Sequence, residues 1–290
     1  YAEQLRQSCP GLSLAKTVGV FELSRSSWYY KPKPKNLKRS CRPLDSDLVN
    51  RLTRLSGFEL TLGYRKLTYF LKFQSDFIVN HKKLYRHMAA MDLLQPKHVT
   101  KSKKKKPPSA IYYCPLRSNI RWEADLTLVP YESGFLYLFF VIDVFDKELI
   151  GHHFGFRCRK EDAIESLKIA VLSRFPSGKI PDDFRVTLRL DRGCQFTSFD
   201  FAKAPTAAVV LGVLPFIESF FSNFKREEVY RNVYQNPLEA FSAWTAYCDW
   251  YNNLRPHASL NYLSPVQFRR ATSLKYSQVH DSFLSNLTGA

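Results

Sequence analysis

Three apolar segments in close succession constrain this chain more than any other feature. Residues 121–129 alternate around Asp125, residues 135–144 are almost wholly apolar, and residues 149–156 form a third such run. Gly134, Asp146 and Lys147 fall between them, where strands must turn. Connections this short join only antiparallel neighbours, so the segments predict a three-stranded meander. A helix over 161–174 follows, with Ala163, Leu167, Ala170 and Val171 inward, and then a strand, Val186–Leu190, that ends in Asp191. Further helices are expected over 199–211, 216–229 and 237–253. Antiparallel strands followed by alternating helices and strands predict an α/β layer on a mixed sheet.

The residues before this region read as helical and basic. Residues 11–30 suggest two short helices around Gly19, with Leu14, Val18 and Leu23 apolar and Ser24 a cap: a helix-turn-helix or an ordinary helical hairpin. Residues 31–43 alternate Lys and Pro and read as a basic linker. Over 44–96, Leu48, Leu52 and Leu55 recur at helical spacing, a second helix opens at Gly63-Tyr64-Arg65-Lys66, and a third opens at Asn80, its expected cap. That third helix would present Lys82, Lys83 and Arg86 as a basic ridge. Residues 97–117 hold a Lys/Pro-rich tether that includes Lys103, Lys104 and Lys105. The expected division is therefore 1–30, 31–43, 44–96, 97–117, a core over 118–255, and a tail over 256–290.

Charge follows the same division. Residues 1–108 carry 23 Lys+Arg against 7 Asp+Glu, a net +16, whereas residues 109–290 carry 20 against 19, a net +1. A positive excess gathered in one part of the chain suits a polyanion, and we expect most DNA affinity to reside there. Arg65, Lys82, Lys83 and Arg86 are the leading contacts. The 45% hydrophobic content excludes a mainly disordered basic tail. The longest apolar run, Phe135 to Ile142, is far shorter than the ~20 residues of a spanning helix. The six cysteines are scattered without a CxxC pair, which argues against a zinc or disulfide framework and leads us to expect a reduced, intracellular protein. The chain begins at Tyr1, consistent with a fragment, a processed product or part of a fusion.

Three acids stand where acids are costly. Asp125 lies mid-strand, Asp191 ends an apolar strand, and Glu218 opens the apolar segment Pro215-Phe216-Ile217-Glu218-Ser219-Phe220-Phe221. Carboxylates among apolar neighbours need a counter-charge, and a hard divalent cation is a natural one.

At this point a resemblance can be stated. Trp122-x-x-Asp125-x-Thr127, Tyr137-Leu138 through Ile142-Asp143, Ile150-Gly151, Asp191-Arg192-Gly193-x-Gln195-Phe196-Thr197-Ser198 and Ile217-Glu218-Ser219-Phe220-Phe221-x-x-x-Lys225-x-Glu227 are matching motifs. Tyr251-Asn252-x-x-Arg255-Pro256-His257-x-x-Leu260, Ser264-Pro265, Gly63-Tyr64-Arg65-Lys66 and Val79-Asn80-His81-Lys82-Lys83 match as well. Over about residues 11–270 the chain resembles insertion-sequence transposases of the retroviral-integrase type, specifically the second-frame catalytic protein of the large frameshifting bacterial group. The resemblance implies a ribonuclease-H-like core with a mixed five-stranded sheet. It places a DDE triad on Asp125, Asp191 and Glu218, with two Mg²⁺ ions (Mn²⁺ as substitute) and transposon-end and target DNA as substrate. Asp125 would then bridge both ions, with Asp191 and Glu218 each holding one. It adds Arg25, Lys66, Arg192, Lys225, Arg255 and His257 to the expected DNA contacts. It further implies a homodimer or higher oligomer on DNA, a first-frame DNA-binding partner or fusion, and a cytoplasmic, nucleoid-associated setting.

The chain departs from the family pattern twice. Only 27 positions separate Asp191 from Glu218, and Gly212-Val213 runs almost directly into Leu214-Pro215-Phe216. We expect a mobile active-site loop to be missing there, a natural deletion being the alternative. Arg189-Leu190 also precedes Asp191 where the family has His-Ser. Two other functions compete: a nuclease on RNA–DNA hybrids, against which the basic helical arm argues, and a non-catalytic DNA-binding protein, against which the intact triad argues. Trp122 is expected in the core. Tyr251, Asn252, Arg255 and His257 are expected to support the active-site face or DNA, so that Arg255→Ala would weaken DNA binding alone.

Overall fold

A computed structural model describes residues 4, 7–11, 13–30, 43–96, 114–182, 184–191 and 207–274. The chain divides into two units, residues 1–45 and 46–290. In the first, α1 (Leu14–Val20) is capped by Ser13, and α2 (Arg25–Trp28) begins after Ser24, whose hydroxyl accepts a hydrogen bond from the Ser27 N–H at 3.1 Å. The turn lies at Phe21 and Glu22, with Glu22 at φ 51°, and Gly19 sits inside α1 rather than at the turn.

The second unit is built on a five-stranded sheet. Its strands are β1 (Arg121–Tyr131), β2 (Gly134–Asp143), β3 (Leu149–Gly155), β4 (Val186–Leu190) and β5 (Ala207–Leu211), in the order β3-β2-β1-β4-β5. β1, β2 and β3 form the predicted antiparallel meander, while β4 runs parallel to β1 and β5 parallel to β4. The fifth strand corrects the helix expected over 199–211. Pairing along all five residues, from Val186 opposite Ala207 to Leu190 opposite Leu211, satisfies the outer edge of β4 and suits the β-branched Val209 and Val210. Residues 199–206 lie outside the described residues.

Alternation along the strands sends side chains to two helical layers. Leu136, Leu138, Phe140 and Ile142 share one core with α7 (Pro215–Glu227) and α8 (Pro237–Asn253). Trp122, Ala124, Phe139 and Val141 share the other with α6 (Lys160–Arg174), as expected for Trp122. α6 comes so close to β3 that a Cβ on Gly151 would stand 2.1 Å from the Ser166 carbonyl, which only glycine permits. A mixed sheet of this order with helices on both faces is the ribonuclease-H-like layout.

The helices before the sheet are α3 (Ser46–Thr53), α4 (Tyr64–Ser75) and α5 (His81–Ala90); the Asn80 side chain caps α5 through the Lys82 N–H at 2.8 Å. They belong to the same unit as the sheet. Leu48, Leu52, Leu67 and Leu84 belong to the same buried cluster as Phe220, Trp244 and Tyr247, and the Phe58 ring lies 5.4 Å from Tyr247 and 5.1 Å from Trp250. Residues beyond 255 join in too. Tyr262 stacks on Tyr69 at 3.8 Å, and Arg269 bonds Glu148 at 2.6 Å. Among the described residues no helix is long and apolar enough to cross a membrane.

This packing changes how DNA affinity should be tested. Removing residues 1–108 would strip one wall from the core. Removing 1–45 deletes only the first unit, with its 9 Lys+Arg against 3 Asp+Glu. A chain beginning at residue 46 is expected to keep its thermal transition while binding duplex DNA with a shallower dependence on salt. An unchanged salt slope in a binding titration would show that the first unit adds no phosphate contacts.

Candidate active site

Strand register brings two of the three acids together. Ala124 on β1 pairs with Leu190 on β4, so the next residues of these parallel strands, Asp125 and Asp191, stand side by side. β5 pairs Leu211 with Leu190, and the Gly212 N–H donates to the Leu190 carbonyl at 3.0 Å. Gly212, Val213 and Leu214 then lead straight into α7, whose first turn carries Glu218. Between Asp191 and Glu218 the described residues are β5, this three-residue connection and the start of α7; residues 192–206 lie outside them. Asp125, Asp191 and Glu218 line one cavity of about 300 Å³ with Gly212, Val213 and Leu214.

The start of α7 is held by a residue that the sequence did not single out. Glu123, fully buried two positions before Asp125 on the same strand face, accepts hydrogen bonds from the Phe216 and Ile217 N–H groups at 2.9 and 3.0 Å. Its carboxylate satisfies N–H groups that a helix start leaves open, and it ties the strand bearing Asp125 to the helix bearing Glu218. Burial raises its pKa, against the lowering effect of those two hydrogen bonds and of Arg189 and Lys147. From the other side the Lys147 ammonium lies 3.5 Å from the centre of the Phe216 ring. A local signal existed only in the two-residue spacing to Asp125; the bond itself spans 93 positions. Glu123→Ala is expected to lower turnover while Glu123→Gln, which keeps an acceptor oxygen, restores most of it; equal losses in a rate assay would contradict this role.

Electrostatics at the three acids favour a cation. Burial raises the Asp125 pKa from 3.8 to about 6, and the Asp191 and Glu218 carboxylates push it the same way, against a hydrogen bond from the Leu126 N–H and the pull of Lys225. The donors are all carboxylate oxygens, the set that suits a hard divalent ion. As they stand, no three His, Cys, Asp or Glu side chains among the described residues are close enough to hold one ion. Asp191 and Glu218 are both exposed where they line this cavity.

The charge strain has a measurable consequence. The raised pKa means that folding disfavours the ionised form, so Asp125 costs stability as pH climbs from about 4 through about 6 and above. In the presence of a chelator, Asp125→Asn is expected to raise stability by about 1–2 kcal/mol at pH 7–8, after allowance for partial solvation, and by nothing near pH 4. Chelated thermal melts at the two pH values check this; destabilisation at pH 7–8 would contradict it.

The integrase core domain family matches residues 115–208 and, through a second description of the same domain, residues 218–272. These 94 and 55 residues make up just over half of the 290-residue chain and include all three acids. The chain belongs to the integrase core family. Among curated relatives, the IS600 31 kDa protein of Shigella sonnei is 30% identical over 178 residues, 58% of this chain and 61% of that protein. The transposase InsK for insertion sequence element IS150 of Escherichia coli K12 is 24% identical over 93% of this chain and 96% of that protein. The chain thus spans only 61% and 51% of the length of the IS600 and IS629 relatives. Among solved structures, the magnesium complex of the HTLV-2 integrase catalytic core in its dimeric form aligns with a TM-score of 0.41 and 16% identity, over 53% of this chain and 98% of that one.

The remaining expected site residues separate clearly. Arg65, Lys82 and Lys66 keep exposed or half-buried positions, as do Lys83, Arg86 and Lys225. The Arg25 side chain and residues Lys103, Lys104, Lys105 and Arg192 lie outside what the structure describes. Arg255 and His257 do not fit the role of DNA contacts, because they are only 1% and 8% exposed. Arg255 makes two 2.7 Å hydrogen bonds to Glu227, which also accepts from the Tyr247 hydroxyl at 3.0 Å. The neighbouring Asn252 side chain exchanges two 2.9 Å bonds with the backbone of Leu149 at the start of β3. The Tyr-Asn-x-x-Arg-Pro-His segment therefore fastens α8 to β3 and α7, and Tyr251 is buried within it.

Proposed function

We propose that this chain is a DDE transposase that cuts and joins DNA strands at transposon ends. The observation that carries the reading is the convergence of Asp125, Asp191 and Glu218 on one cavity from β1, β4 and α7. The insertion-sequence relatives support DNA over an RNA–DNA hybrid as substrate. In the first reaction a water oxygen attacks phosphorus and the 3′-oxygen leaves, freeing a 3′-OH. In the second, that hydroxyl attacks another phosphodiester and displaces its 3′-oxygen, so one phosphodiester replaces another without an energy source. Two Mg²⁺ ions held by Asp125, Asp191 and Glu218 would supply Lewis-acid stabilisation of the attacking and leaving oxygens. Asp125 is fixed by its strand and by the Leu126 N–H at 2.8 Å; Glu218 is fixed through α7 by Glu123. The protein acts as a homodimer or higher oligomer on DNA, with a first-frame partner or fusion adding end recognition.

A labelled duplex carrying the terminal sequences that flank the coding region, incubated with the chain and Mg²⁺, should yield both a nicked strand and strand-transfer products. Degradation of an RNA–DNA hybrid without any DNA joining would favour the nuclease reading instead.

A further inference from the structure

A second cavity of about 400 Å³ lies between α4 and α7, lined by Thr61, Gly63, Tyr64, Arg65, Lys66, Arg226 and Glu227. Its charge does not cancel. The Glu227 carboxylate is taken up by the buried Arg255 through two 2.7 Å bonds and by the Tyr247 hydroxyl at 3.0 Å, and it accepts from Arg226 only at 3.1 Å. Arg65 and Lys66 have no ion-pair partner among the described residues. α4 begins on the same wall with no side-chain cap and no acidic residue in its first turn, leaving its positive end unneutralised. Burial, with Arg255 and Arg226 nearby, draws the half-buried Lys66 ammonium down to about 8, although Glu227 opposes this. A cationic hollow that strains its own lysine is suited to an anion.

We propose that Arg65, Lys66 and Arg226 grip a backbone phosphate of the same DNA whose scissile bond lies at the three carboxylates. The proposal rests on the transposase reading and names a phosphate-positioning site within it. Glu218 and Arg226 lie on one helix, eight positions or about 12 Å apart along its axis. That span is three to four base pairs at about 3.4 Å each, so one rigid element would set the distance between the gripped phosphate and the cut. Arg226, absent from the contacts expected from sequence, becomes one of them.

The test uses the full chain and a random-sequence duplex in low salt. Lys66→Gln and Arg226→Gln should each weaken binding and reduce the salt slope by about 1, whereas Lys168→Gln on α6 should change neither. Acetylation of Lys66 at pH 8.5, followed by mass spectrometry, should slow about threefold or more when duplex is added, as expected for a pKa rise of one unit or more. Duplex binding with an unchanged slope in both variants and no protection of Lys66 would overturn the phosphate site while leaving the transposase reading standing. Equal protection by inorganic phosphate alone would overturn its assignment to a DNA backbone. Failure of the full chain to bind any duplex would overturn both.

Discussion

Glu218→Gln is expected to lower strand cleavage and joining by about 10³-fold or more, with thermal stability and DNA binding unchanged. The side chain is exposed at the mouth of the carboxylate cavity and bears no part of the core, so the amide removes the proposed metal ligand without disturbing the packing. The other glutamates of this region cannot stand in. Glu227 and Glu228 lie nine and ten positions further along, about 13–15 Å at helical rise, and both are buried. Parallel assays of rate, melting temperature and duplex affinity check the prediction. Activity retained in Glu218→Gln would mean that the wrong glutamate has been placed in the triad.

What made Glu218 legible was local. An acid inside Pro215-Phe216-Ile217 and Phe220-Phe221 is conspicuous in a sequence, as is an aspartate at the end of an apolar strand. The meander, the β4 strand and the helices over 161–174 and 237–253 were legible for the same reason, since their periods and turns are short-range. Three features were not. β5 has the composition of either a helix or a strand, and only the open edge of β4 decides between them. Glu123 is read as one more polar residue until α7 is placed above it, 93 positions later. The buried Arg255 looked like a DNA contact because exposed basic residues are common and buried ones rare; its partner is 28 positions away, on α7.

Arg255 accordingly has the second large expected effect, now on stability. Arg255→Ala leaves Glu227 buried without its main counter-charge, and the Tyr247 hydroxyl and Arg226 alone do not replace two 2.7 Å charged bonds. Breaking a buried pair in this way is expected to cost about 3–5 kcal/mol. Glu227→Gln should lose stability for the same reason from the other side, because Arg255 is only 1% exposed. Both variants should therefore lose activity in proportion to the folded fraction, unlike Glu218→Gln. Denaturant titration separates the cases. A stable Arg255→Ala with weakened DNA binding would return Arg255 to the DNA interface.

The proposed single divalent-metal site of Asp125, Asp191 and Glu218 is checked by titrating Mn²⁺ into the unsubstituted chain and into Asp125→Asn, Asp191→Asn and Glu218→Gln, following free Mn²⁺ by electron paramagnetic resonance. Uptake is expected for the unsubstituted chain, with its loss or strong weakening in each of the three folded variants. Undiminished uptake in all three would contradict the proposed site.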